Sequence, residues 1–127
     1  MKRAFALLAM LTVLIGAGPA AAFEMRPFDQ ATVAKLVATG KPVAVHVYAP
    51  WCLQCRAQEA ILNRLSATGQ YDDIAFFRVD YDHQKDVVAQ FNVPRSTLIA
   101  YRDDKEVTRQ SWGTSQAWVT NILDAVH

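Results

Sequence analysis

Cys52 and Cys55 are the only cysteines of the 127-residue chain, and they stand three positions apart in Trp51-Cys52-Leu53-Gln54-Cys55. Two thiols at this spacing can close a small ring or face one metal ion, and thiol–disulfide exchange is the leading chemistry. A bridge across so short a loop removes little entropy from the unfolded chain. It would make a poor staple, which favours a redox-active pair over a stabilising one. Neither His46 nor any other residue completes an obvious four-ligand metal spacing. No glycine-rich phosphate loop, Ser-His-Asp order or paired carboxylate stands out.

A reactive pair has to be held by regular structure. The run Val43–Tyr48 is almost wholly apolar, as expected of a strand buried on both faces, and Ala49-Pro50 ends it. From Cys52 to about Ala67 the pattern is helical, with Ala57, Ala60, Ile61 and Leu65 on one side and Gly69 just past the end. The pair therefore lies where a strand runs into a helix. Upstream, Glu24–Pro27 reads as a short lead-in, and Asp29 caps a helix over Gln30–Thr39 that stops at Gly40. Downstream, Ile74–Val79 reads as a strand, Gln84–Phe91 as a short helix and Thr97–Tyr101 as a strand. Asp103-Asp104 then turns the chain into an antiparallel strand, Glu106–Ser111. Thr114 or Ser115 caps a last helix with Trp118, Ile122, Leu123 and Val126 inward. The order α-β-α-β-α-β-β-α predicts an α/β fold, a central mixed four-stranded sheet flanked by helices on both faces.

With these elements in place, the chain resembles the thioredoxin family over almost all of residues 23–127. The likeness is carried by Lys41-Pro42, Tyr48-Ala49-Pro50-Trp51-Cys52, Phe91-Asn92-Val93, Thr97–Tyr101 with its turn, and Trp112-Gly113. It implies a thioredoxin fold and thiol–disulfide exchange, and leaves the direction of electron flow open. Cys52 would open its helix, where free backbone N–H groups and the helix dipole favour a thiolate, so its pKa should fall to about 3.5–7.5. Cys52 is then the attacking sulfur and Cys55 the resolving one. Arg56 either adds positive field beside Cys52 or is a solvated surface residue.

The chain departs from the family pattern in four places, one being that the helix after Cys55 lacks the kinking proline many members have, so that Arg56–Leu65 should be straighter. Leu53-Gln54 replaces the usual Gly-Pro between the cysteines. His46 stands where the family usually buries an acid; it either accepts the Cys55 proton or is a core histidine satisfied elsewhere. Ser96-Thr97 replaces the Pro-Thr pair whose proline is usually cis, and the Arg95–Ser96 bond is left open between cis and trans. Trp51, Ser96 and Thr97 are expected to form the rim that meets substrate, Tyr48 to be core, and Trp112 and Trp118 to be packing residues. His83, in Tyr81-Asp82-His83, has no second metal ligand nearby in sequence.

The N-terminus predicts export. Lys2-Arg3 precedes the apolar run Ala4–Gly18, and Ala20-x-Ala22 offers a small-residue cleavage site before Phe23. That apolar run is shorter than the roughly 20 residues needed to span a bilayer. The reading is a signal peptide over 1–22, a thioredoxin-like domain over 23–127, and a periplasmic destination where disulfides persist. Without Lys2 and Arg3, 11 basic face 12 acidic side chains, so nothing suggests nucleic acid. The expected protein is a monomer that reduces protein disulfides, recharged by a membrane electron donor. No cofactor or metal is required, because the cysteine pair stores the electrons. A thiol oxidase of the same fold and a non-catalytic metal-holding module are the alternatives.

Overall fold

The computed structural model describes residues 23–127; the leader segment 1–22, with its Ala20-x-Ala22 site, lies outside the described residues. Nine elements follow in order: β1 (Met25–Pro27), α1 (Gln30–Ala38), β2 (Val43–Tyr48), α2 (Leu53–Ser66), β3 (Ala75–Asp80), α3 (Lys85–Phe91), β4 (Thr97–Arg102), β5 (Lys105–Ser111) and α4 (Gln116–Asp124). They build one mixed sheet of order β1-β3-β2-β4-β5, with β1, β3 and β2 parallel and β4 and β5 antiparallel to their neighbours.

The sheet thus has five strands where the sequence predicts four. The extra one is the expected lead-in: Met25, Arg26 and Pro27 pair in parallel with Phe76, Phe77 and Arg78 of β3. Three residues are too few to show an alternating pattern. Contacts beyond the strand hold it, with Phe23 stacked on Phe76 and the Arg26 guanidinium over the Phe77 ring. Pro27 is tolerated because β1 lies at the sheet edge.

Alternation along β2 sorts the core into two halves. Val43, Val45 and Val47 join Val33 of α1, Phe77 and Val79 of β3 and Val87 of α3 on one face. Ala44 points the other way, against Ile61, Leu62 and Leu65 of α2 and Val119, Ile122 and Leu123 of α4. His46 shares that second face by the two-residue period of the strand. The buried stripe of α2 is Cys55, Gln58, Ile61, Leu62, Leu65 and Ser66, a face rotated from the predicted one; Ala60 is exposed. At the far end of the hairpin Asp103 and Asp104 both take positive φ, 51° and 68°, the geometry of a two-residue turn that matches strand twist.

Candidate functional site

The cysteines sit where β2 gives way to α2. Ala49 accepts a hydrogen bond from the Cys52 amide at 3.1 Å, and this tight turn swings the chain from strand into helix. Cys52 is the N-cap of α2, and its sulfur accepts the Cys55 N–H at 3.2 Å. A helix start leaves N–H groups without partners, and here a sulfur takes the place usually held by a Ser or Asp oxygen. The same N–H and the helix dipole stabilise negative charge on that atom. Cys52 and Cys55 are paired as a disulfide, their Cα atoms 5.2 Å apart. Cys52 keeps 2 % of its surface and Cys55 none, so only Cys52 touches solvent at all. The Cys55 sulfur lies 3.8 Å from the Val47 carbonyl oxygen.

Behind the pair is a buried polar wall. His46 is 1 % exposed, and its Nε2 is 2.9 Å from Oε1 of Gln58, itself wholly buried. The Gln58 amide nitrogen donates to the carbonyls of Ser96 at 3.1 Å and Gly113 at 2.8 Å. Burial lowers the His46 pKa from 6.5 to about 4; the hydrogen bond to Gln58 opposes that shift, the Arg78 charge adds to it and Glu59 opposes it. The ring is therefore neutral at pH 7.

In front is an exposed apolar rim. Trp51, Leu53 and Trp112 are 55 %, 74 % and 45 % exposed. Trp51 is fixed at three points: its Nε1 donates to Asp82 at 2.9 Å, Tyr81 meets it edge-on, and the Arg95 guanidinium lies 4.8 Å from its ring. Arg95 also lies 5.1 Å from the Trp112 ring, so one cation spans both indoles.

The structure joins Trp51 to the two cysteines at the start of α2, ties His46 to the same helix through Gln58, one turn beyond Cys55, and sets Ser96 and Thr97 beneath the surface. Both are fully buried. Ser96 donates its N–H to Val47 at 2.9 Å, and its carbonyl accepts from Trp112 as well as Gln58. The Thr97 hydroxyl donates to Pro94 at 2.7 Å and accepts from Ser111 at 2.8 Å. Ser96 sits at φ 66°, and no peptide bond among the described residues is cis. A proline could not take that φ, and it would remove the N–H that binds Val47. This accounts for the absence of proline at the position.

Trp112, expected to pack, is instead half out of the protein at φ 73°, whereas Trp118 packs inward. The residue between these outcomes is Gly113: a Cβ there would come within 2.0 Å of Trp118 Cδ2. Tyr48 is partly buried, with Arg78 over its ring at 4.2 Å. His83 pairs with Asp80 at 2.9 Å.

Two functional-site residues escaped the sequence reading. Gln58 carried a signal, a polar residue three positions after Cys55 in line with Ile61 and Leu65. Arg95 carried none beyond its place between Pro94 and Ser96. Among the described residues no group of three or more His, Cys, Asp or Glu side chains is placed to hold a metal ion. No described helix is long and apolar enough to cross a membrane.

Comparison with known proteins converges on one family. The thioredoxin family model matches residues 24–125. Thioredoxin-2 of Saccharomyces cerevisiae is 36 % identical over 75 residues, 58 % of this chain and 70 % of that protein. The thiol:disulfide interchange protein DsbE of Escherichia coli is 41 % identical over 61 residues, 46 % of this chain but only 32 % of that protein. Among solved structures, Trxlp from Edwardsiella tarda superimposes with a TM-score of 0.72 at 38 % identity, covering 79 % of this chain and 98 % of that one. The thioredoxin of Malassezia sympodialis gives 0.69 at 15 % identity, a likeness of fold alone.

Proposed function

Because the chain belongs to the thioredoxin family of thiol–disulfide oxidoreductases, we propose that it is an exported reductant of protein disulfides working through the Cys52–Cys55 couple. The observation that carries this reading is the cap of α2: Cys52 is the member of the pair that keeps exposed surface, and its sulfur accepts the Cys55 N–H. In the reduced protein the Cys52 thiolate attacks one sulfur of a substrate disulfide and expels the other as a thiolate, leaving a mixed disulfide. Cys55 then loses its proton, attacks Cys52, and releases the second substrate thiol. Two electrons pass to the substrate and the couple is left oxidised. His46 is the neutral base of the inner wall that can take the Cys55 proton.

Trp51, Leu53 and Trp112 form the surface on which a partner docks, and Ser96 and Thr97 shape the loop behind it. Export rests on the leader pattern Lys2-Arg3, Ala4–Gly18 and Ala20-x-Ala22, and places the protein in the periplasm. An oxidising compartment does not recharge a reductant, so its electrons come from outside, and the family resemblance points to a membrane electron-transfer protein as the donor.

The test is a pair of variants. Cys55→Ser should accumulate mixed disulfides with protein partners through Cys52, and Cys52→Ser should accumulate none. If Cys55→Ser traps no partner, the reading fails. Equilibration of the couple against glutathione sets the direction: a potential near −270 mV fits a reductant, and one near −120 mV would make the protein an oxidant.

A further inference from the structure

Gln58 is wholly buried, so its amide oxygen and both its N–H groups need partners. Two of its neighbours are backbone carbonyl oxygens, those of Ser96 and Gly113, which can only accept. The amide nitrogen must therefore face them, and both of its hydrogens are committed. That leaves Oε1 turned on His46 Nε2, and an amide oxygen likewise only accepts. His46 Nε2 must then carry a hydrogen. A neutral imidazole carries only one, so Nδ1 is bare; that atom is buried and has no hydrogen-bond partner.

The location gives this consequence. Gln58 follows Cys55 by one turn on the buried stripe of α2, and His46 adjoins Val47, whose carbonyl is 3.8 Å from the Cys55 sulfur. We propose that Gln58 is a positioning residue: it locks His46 as the Nε2–H tautomer, leaves Nδ1 as the open proton acceptor of the inner wall, and ties that ring to the Ser96 and Gly113 backbone.

The role in turnover rests on the proposed function. As the mixed disulfide resolves, the Cys55 S–H proton passes to Nδ1 and the new thiolate attacks Cys52. The Cys52–substrate bond breaks, the Cys52–Cys55 bond forms, and the departing substrate thiolate takes the proton back from the ring. The charged form of His46 is opposed by burial and by Arg78 on β3, and favoured by Glu59 on α2. Tyr48 lies beside it on β2 with ring centroids 5.8 Å apart, and β4 brings the uncharged Leu98 opposite. The proton is therefore held weakly and handed on.

The experiment is long-range 1H–15N NMR of the histidine rings in the full chain, read from pH 5 to 8. It is paired with single-turnover resolution of a Cys52 mixed disulfide. Expected for the native protein is a His46 spectrum with Nε2 protonated and Nδ1 unprotonated throughout. Gln58→Leu should mix the tautomers, slow resolution about tenfold and move its pH profile. A native ring protonated at Nδ1 overturns the proposal without recourse to any variant. A Gln58→Leu protein with the native ring spectrum and pH profile overturns it too. Failure to exchange with any protein disulfide would sink the proposed function, while the ring spectrum would still decide the tautomer lock.

Discussion

The two sides of the cysteine pair reverse the usual placing of polar and apolar groups. Behind it, His46, Gln58 and Ser96 are polar and withdrawn from water; in front, Trp51, Leu53 and Trp112 are apolar and exposed. Buried polar groups cost stability unless they are bonded, and exposed apolar patches mark surfaces that meet something. The inner wall answers part of its cost with hydrogen bonds between Gln58 and three segments of chain, while His46 Nδ1 and the Ser96 hydroxyl stay unpartnered. The outer rim is held by a single hydrogen bond, from Trp51 to Asp82, and by the Tyr81 edge and the Arg95 charge around the same indole. The contrast teaches that geometry is enforced from within and contact is offered from without. Damage to the wall should therefore register in stability and proton handling, and damage to the rim in partner affinity.

The largest effect should come from Ser96→Pro, which breaks the wall at its backbone. The substitution forces φ from 66° to about −65° and deletes the N–H bonded to Val47, at a cost of about 4 kcal/mol. Denaturant unfolding reads this; a variant as stable as the native protein would mean that the loop rearranges freely. Gln58→Leu comes next. It leaves His46 Nε2 and the Gly113 carbonyl without their partner and takes one of two donors from the Ser96 carbonyl, and should lower unfolding stability by about 3 kcal/mol.

The third effect is one of pH. The folded His46 pKa lies near 4, below its unfolded value of 6.5, so between these values the unfolded chain binds more protons. The contribution of neutral His46 is thus intact above pH 6.5 and is lost as pH falls toward 4, by roughly 3 kcal/mol at most. Stability measured across that range should fall on acidification, and His46→Leu should flatten the slope. An equal slope in both proteins would remove His46 as its cause.

The smallest stability effects belong to the rim. Trp112→Ala and Leu53→Ser should each change unfolding stability by less than about 1 kcal/mol, yet raise KM for a protein disulfide several-fold. Equal loss of stability at wall and rim would erase the distinction between them.

The outer rim was partly legible in the sequence and the inner wall mostly was not. Trp51 and the two cysteines are contiguous, so their neighbourhood follows from local geometry, as do the strand over Val43–Tyr48 and the Asp29 and Ser115 caps. The wall is assembled from residues 46, 58, 96 and 113, which only the packing of α2 against the sheet brings together. The rotated face of α2 shows the difficulty: alanines at 57 and 60 mimic a buried stripe, while the polar Gln58 occupies the real one. Trp112 misled for another reason. An aromatic between the final strand and the final helix suggests packing, but this one sits at positive φ and is half exposed.

Gly113 also bears on how such a protein can change its clientele. It accepts from Gln58 on one side, abuts Trp118 on another, and is bonded in sequence to the exposed Trp112. Any added side chain would collide with the indole, so position 113 is closed to variation. Positions 51, 53, 95 and 112 ring the entrance and are open to it. On the proposed function, partner choice can be rewritten around the entrance while the chemistry behind it stays fixed. At this turn the border between the two is a single peptide bond.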